Sequence, residues 1–149
     1  MFTVRPATPG DEEPFVALVQ DAGLPLEGLD ATRLRFVAEQ RGEVVGAAAL
    51  EDHGTGAGRA LLLRSVVTRA DRRGEGIGTA LTTRALAHAD AAGLPVALLT
   101  ETAEHWFPRF GFARVERAAL PAALAASPEL QGACATSASA LLRPVPSGG

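Results

Sequence analysis

Arg72-Arg73-Gly74-Glu75-Gly76-Ile77-Gly78-Thr79 lies between the leucine- and valine-rich run Leu61 to Thr68 and a long alanine-rich segment. Glycines at alternate positions leave backbone N–H groups with no side chains shielding them. A helix predicted to start here points the positive end of its dipole at the same place. Such a cradle suits a pyrophosphate, so the chain is expected to bind a nucleotide-tailed cofactor. The plainer alternative is a glycine-rich turn that only caps a helix.

Elimination narrows the cofactor. A P-loop requires Gly-x4-Gly-Lys-Ser/Thr, and the chain has no lysine. The dinucleotide fingerprint Gly-x-Gly-x-x-Gly fails because Thr79 stands at its third glycine. What fits is Arg-x-x-Gly-x-Gly, read as Arg73, Gly76 and Gly78.

The elements that must position this loop follow from pattern and punctuation. Met1 to Arg5 reads as a strand. A helix starts at Thr8-Pro9-Gly10-Asp11, with Thr8 and Asp11 at capping-box spacing, and ends at Gly23 and Pro25. Leu34 to Gln40, a turn at Arg41-Gly42 and Glu43 to Glu51 form a hairpin, followed by a Gly-rich connection from Asp52 to Gly58. Ala60 to Thr68 is the central strand, Gly76 to Ala92 a helix stopped by Gly93 and Pro95, and Val96 to Thr100 a buried strand. Ala103 to Phe110 is predicted as a short helix ending at Gly111, and Phe112 to Arg117 as a strand. Pro121 begins a brief helix, and Ala138 to Arg143 closes the sheet. The fold class expected is α/β (α+β), a mixed central sheet with helices on both faces.

Length and composition exclude other classes. The 149 residues, 47% of them apolar, suit one soluble domain. A net charge of −3 offers no basic face for nucleic acid. The apolar run Ala118 to Ala126, interrupted by Pro121, falls far short of the ~20 residues of a membrane span. Arg5, Pro6 and Pro9 break any signal-peptide core, and the single cysteine, Cys134, rules out an internal disulfide; a cytoplasmic protein is expected. His53 and His88 lack metal-ligand spacing, so no metal is expected. With no tyrosine, a tyrosine-based mechanism is excluded.

Arg73, Gly76 and Gly78 at a strand-to-helix junction, with Phe107-Pro108-Arg109-Phe110-Gly111-Phe112 further on, resemble the GNAT superfamily of acetyltransferases. The resemblance covers nearly the whole chain, implying a single GNAT domain over residues 1–143 and a flexible tail over 144–149. It implies acetyl-coenzyme A as cosubstrate, its pyrophosphate held by Arg73, Gly74, Glu75, Gly76, Ile77, Gly78 and Thr79. Arg69 and Arg72 are equally well read as solvated surface charges. The strand Leu63 to Thr68 is expected to splay from Val96 to Thr100. The pantetheine arm then pairs with free backbone groups of Val66, Val67 and Thr68, and the N–H of Val66 or Val67 stabilises the oxyanion.

Amine acetylation needs a base. Glu101 is favoured, ahead of Glu51, Glu104 and His105, each of which also reads as a surface charge. Phe107 stands where many GNATs carry a proton-donating tyrosine, and lines the cofactor site without donating. Trp106 reads as core or pocket wall.

Leu99 to Phe107 with Gly111-Phe112 resembles the acetyltransferase domain of N-acetylglutamate synthases. Gly23-Leu24-Pro25, Leu63-Arg64-Ser65 and Cys134-Ala135-Thr136-Ser137-Ala138 resemble more closely the small arsenic-resistance-associated GNATs, with Ala135 where those carry proline. That departure implies a less rigid backbone there, and the short segment from Leu26 to Leu34 puts an acceptor-covering lid in doubt. The acceptor implied is small and amino-acid-like, toxic arsenic or phosphorus analogues of glutamate included. Arg64, Ser65 and Cys134 are its candidate contacts. Arg64 reads equally as an ion pair with a neighbouring glutamate, and Cys134 as a small buried hydrophobe or a soft arsenical ligand. Family relatives are often dimers, which leaves a homodimer open. Two other readings stand beside the enzyme: a non-catalytic acyl-coenzyme A sensor, and a protein N-acetyltransferase with an open peptide groove.

Overall fold

Alternation along the strands sorts the core into two faces. In β2 (Leu34–Gln40), Phe36 and Ala38 pack with Leu81 and Leu86 of α2 (Ile77–Ala92), while Val37 turns to the other face against Phe15, Leu18 and Val19 of α1 (Glu12–Asp21). The helices therefore cover opposite faces of one sheet. The computed structural model describes residues 1–134 and 136–146. The expectation placed on Ala135 and the last three residues of the expected tail lie outside them.

The sheet has seven strands in the order β1-β2-β3-β4-β5-β7-β6, with β1 (Thr3–Pro6), β3 (Glu43–His53), β4 (Ala60–Thr68), β5 (Val96–Thr100), β6 (Ala113–Val115) and β7 (Ser139–Arg143). Only β4 and β5 run parallel; the other neighbours are antiparallel. The mixed sheet with helices on both faces is the one expected. Its last strand inserts between β5 and β6.

Local chemistry explains several boundaries. Arg41 and Gly42, at φ 53° and 79°, make the two-residue β2–β3 turn. The Asp11 carboxylate accepts from the Thr8 backbone N–H at 2.7 Å and from Arg5 Nη1 at 2.7 Å, fixing the start of α1 to β1. Gly46 lets α2 approach: a Cβ there would lie 2.7 Å from Ile77 Cγ2 and 2.8 Å from Leu81 Cδ1.

Two predicted elements are shorter than expected. The helix expected over Ala103 to Phe110 is a turn followed by a 3-10 segment, Phe107–Phe110, since Pro108 has no N–H to continue an α-helix. The strand expected from Phe112 to Arg117 is limited to Ala113–Val115. Phe112 is instead buried against Phe107, ring centroids 5.7 Å apart.

Candidate active site

The site begins with an irregularity in β4. Ala47 pairs with Val67 and Ala49 with Arg64, so two residues, Ser65 and Val66, oppose Ala48 alone. Ser65 takes a left-handed φ of 60° at this bulge. On its other side β4 pairs with β5 only at Leu61 with Val96 and Leu62 with Ala97. From Leu63 onward the two strands are splayed.

Backbone direction within the splay follows from one bond. Arg69 N–H donates to Val45 O on the β3 side at 2.8 Å. Alternation directs the N–H of Val67 to β3 as well, and those of Val66 and Thr68 to the open edge. Of the two oxyanion candidates, Val66 therefore has its N–H on the open side.

A cleft of about 550 Å³ runs through the splay. One end is bounded by Thr68, Arg73, Gly78, Trp106 and Phe107, and the other by Leu24, Pro25, Arg64, Ser65, Glu101, Glu129 and Cys134. At the first end, Gly76 is left-handed at φ 82° and a Cβ on it would meet nothing within 4 Å, so the loop is open to a ligand. Within α2 the first amide satisfied by Gly76 O is that of Ala80, at 3.0 Å, which leaves the N–H groups of Ile77, Gly78 and Thr79 free of intrahelical partners. Arg72 Nε is buried without a hydrogen-bond partner, and Arg73 is exposed beside it. Unpaired amides at a helix N-terminus, with the exposed Arg73 lining the cleft beside them, fit a pyrophosphate. Arg69 instead pairs with Asp71 at 2.7 Å and Glu43 at 2.9 Å on the surface. Trp106 is the pocket wall expected, edge-on to Phe107 and Phe110 with centroids 4.9 Å away in both cases.

This chain matches the family model for the GNAT acetyltransferase domain over residues 32–114. The chain belongs to the GNAT acetyltransferase family. No curated protein matches it by sequence. Among solved structures, N-acetylglutamate synthase from Neisseria gonorrhoeae, complexed with coenzyme A and N-acetyl-glutamate, superposes with a TM-score of 0.79 at 20% identity. The alignment covers 97% of this chain but 35% of that one, so this chain spans about a third of the synthase. Rv2747 from Mycobacterium tuberculosis, solved with coenzyme A, gives a TM-score of 0.76 at 26% identity, covering 95% of this chain and 98% of that one. A GNAT family acetyltransferase from Brucella melitensis, in complex with acetyl-coenzyme A, gives 0.61 at 27% identity over 76% and 83%.

The acceptor end of this GNAT domain is organised by Arg64. Its guanidinium is fully buried and donates to Glu51 Oε2 at 2.7 Å, to the carbonyls of Glu27 at 2.6 Å and Pro25 at 2.8 Å, and lies 3.3 Å from Glu129 Oε2. Of the two readings the sequence left open, the ion pair is the one formed, and the partners of Arg64 are internal carboxylates. These bonds also tie the loop after α1 to the sheet. That loop runs close to Pro128, whose Cγ would lie 2.6 Å from a Cβ on Gly28; Leu24 and Pro25 line the cleft, and no residue from Leu26 to Leu34 does. No residue of the connection from Asp52 to Gly58 lines the cleft.

The base candidates separate by environment. Glu101 is exposed at the end of β5, with Ser137 Oγ 3.5 Å from Oε1. Glu51 is buried with both oxygens engaged, by Arg64 and by His53 Nε2 at 2.7 Å. Glu104 accepts from Ser139 Oγ at 2.8 Å, which holds its carboxyl below the ordinary value. His105 is nearly fully exposed. Sequence reasoning missed Glu129, buried and lining the cleft. Nothing in its Pro128-Glu129-Leu130 setting marks it as buried. Burial and the Glu129 charge push the half-buried Cys134 thiol up to about 12.

Proposed function

We propose that this domain, residues 1–143, moves the acetyl group of acetyl-coenzyme A directly to the amine of a small amino-acid-like acceptor. The observation that carries the reading is the splayed cleft, with glycine-loop amides at one end and buried carboxylates at the other. The loop from Arg73 to Thr79 binds the cosubstrate's phosphates, and the open edge of β4 pairs with its pantetheine amides. The Val66 N–H stabilises the tetrahedral oxyanion. The thiolate leaves without a dedicated acid, as Phe107 has no proton to give and a free thiol titrates near about 8.5.

Glutamate and its arsenic- or phosphorus-bearing analogues belong to the acceptor class. The free thiol of Cys134 suits a reducing compartment, and the proposal includes a cytoplasmic location.

The test is acetyl-coenzyme A-dependent thiol release against a panel of amino acids, arsenic and phosphorus analogues of glutamate, and a lysine peptide. Release with one amino-acid-like compound is expected. Cosubstrate binding without release from any acceptor would favour a sensing module, the reading that the phenylalanine at position 107 supports. Light scattering on the same preparation distinguishes monomer from homodimer.

A further inference from the structure

Glu129 lies on a helical turn, Glu129–Ala133, in the segment between β6 and β7. It lines the acceptor end of the cleft although the residue is only 4% exposed. The ionisable groups facing it are Arg64 from β4, Glu51 from β3, Glu27 from the loop after α1, and Cys134. Arg64 is shared between Glu51 at 2.7 Å and Glu129 at 3.3 Å. One guanidinium and two carboxylates sum to an excess negative charge inside the protein. His53 touches this group only from the far side of Glu51, outside the cleft.

We propose that Glu129 receives the acceptor's ammonium group and removes a proton from it, acting as the general base in place of Glu101. This rests on the acetyl-transfer reading above. One N–H proton passes to a Glu129 carboxylate oxygen. The freed lone pair forms the bond to the acetyl carbon, and the carbon–sulfur bond breaks with its electrons on sulfur. The second surplus N–H proton ends on the thiolate, and Glu129 releases its own proton to water in the cleft before the next turnover.

Two features suit Glu129 to this and not Glu101. Burial raises its carboxyl above the ordinary value, against the opposing pull of Arg64, which moves it toward the range of an effective base. It also stands 3.3 Å from Arg64 and lines the cleft, so its carboxylate is held in place where an acceptor would enter. Glu101 is solvent-exposed instead.

The experiment compares Glu129→Gln, Glu129→Asp and Glu101→Gln in the full chain. Each is assayed with the acceptor found by thiol release and with its hydrazide analogue, whose nucleophilic nitrogen is already neutral. Glu129→Gln is expected to lower kcat for the ammonium acceptor by about 100-fold or more. It should leave acetyl-coenzyme A affinity unchanged and spare the hydrazide. Glu129→Asp should recover part of the rate, and Glu101→Gln should lose much less than Glu129→Gln and equally on both nucleophiles. Equal losses on both nucleophiles, an unaffected Glu129→Gln, or a Glu101→Gln variant that takes the loss would each overturn the proposal. If Glu129→Gln does not fold, the other two variants decide it: an inactive but folded Glu129→Asp beside a dead Glu101→Gln overturns it, and the reverse pattern supports it. A parent protein that releases no thiol with any amine removes the acetyl-transfer reading and this role with it, an outcome distinct from an active parent matched by Glu129→Gln.

Discussion

Ser65 of β4 shares with Val66 the place opposite Ala48 of β3, and this two-against-one pairing accompanies the departure of β4 from β5. The open edge of β4, and the cleft beside it, start within a few residues of that irregularity. Bulges bend and twist the strand that carries them, which is how a sheet opens without losing its core.

A β-branched residue at position 65 is therefore expected to be poorly tolerated. Ser65→Val should lose about 1–3 kcal/mol of stability, since φ is 60° there. Ser65→Gly should stay close to the parent. Urea unfolding of both checks this, and acetyl-coenzyme A affinity should fall for Val alone. Equal stabilities would remove backbone strain from the account.

The cradle is tested by charge and bulk together. Gly76→Glu places an anionic side chain where the phosphates bind, in open space and at a left-handed residue. The strain itself costs about 1–2 kcal/mol. Calorimetry should find acetyl-coenzyme A affinity reduced by about 100-fold or more while the far-UV spectrum is kept. Retained affinity would move the pyrophosphate elsewhere.

Seating of α2 depends on the bare backbone at Gly46. Gly46→Val forces the new side chain onto Ile77 and Leu81, and should destabilise the fold by about 1–3 kcal/mol through overpacking. Because Ile77 opens α2, KM for acetyl-coenzyme A should rise as well. Steady-state kinetics and thermal melts on one preparation would separate the two effects.

Acid sensitivity should trace in part to Asp11. The Arg5 guanidinium, with the Thr8 N–H, holds its carboxyl well below the usual carboxylate range. An unfolded aspartate titrates near about 3.9, so the stabilisation is complete above that value and lost as pH falls toward the folded value. Melts should therefore show stability declining as pH falls below about 4. Asp11→Asn should be less stable by about 1–3 kcal/mol at neutral pH and flatter through the acid range. A variant with the same acid slope as the parent would place the sensitivity on other carboxylates.

Much of the frame was legible because its signals are contiguous. β2, β4, β5 and α2 lie where their apolar runs and terminal glycines put them, give or take a residue. Ala103 to Phe110 failed as a helix because Pro108 outweighed its pattern. The acceptor end was hardest to read. Glu101 was conspicuous at the end of a strand, yet the structure leaves it exposed, whereas Glu129, in a segment without periodicity, is buried in the cleft.

The sequence by itself determined the geometry of the glycine loop, since its amides, the helix that follows and Arg73 are neighbours along the chain. Local spacing is enough to aim a row of N–H groups at one point. Only the tertiary structure decided the acceptor end. Arg64, Glu51, Glu129 and Cys134 come together through a strand pairing and a distant loop, and β7 reaches its place between β5 and β6 the same way. Which carboxylate is stripped of water, and so carries a raised affinity for a proton, depends on those long-range contacts, to which no stretch of neighbouring residues refers.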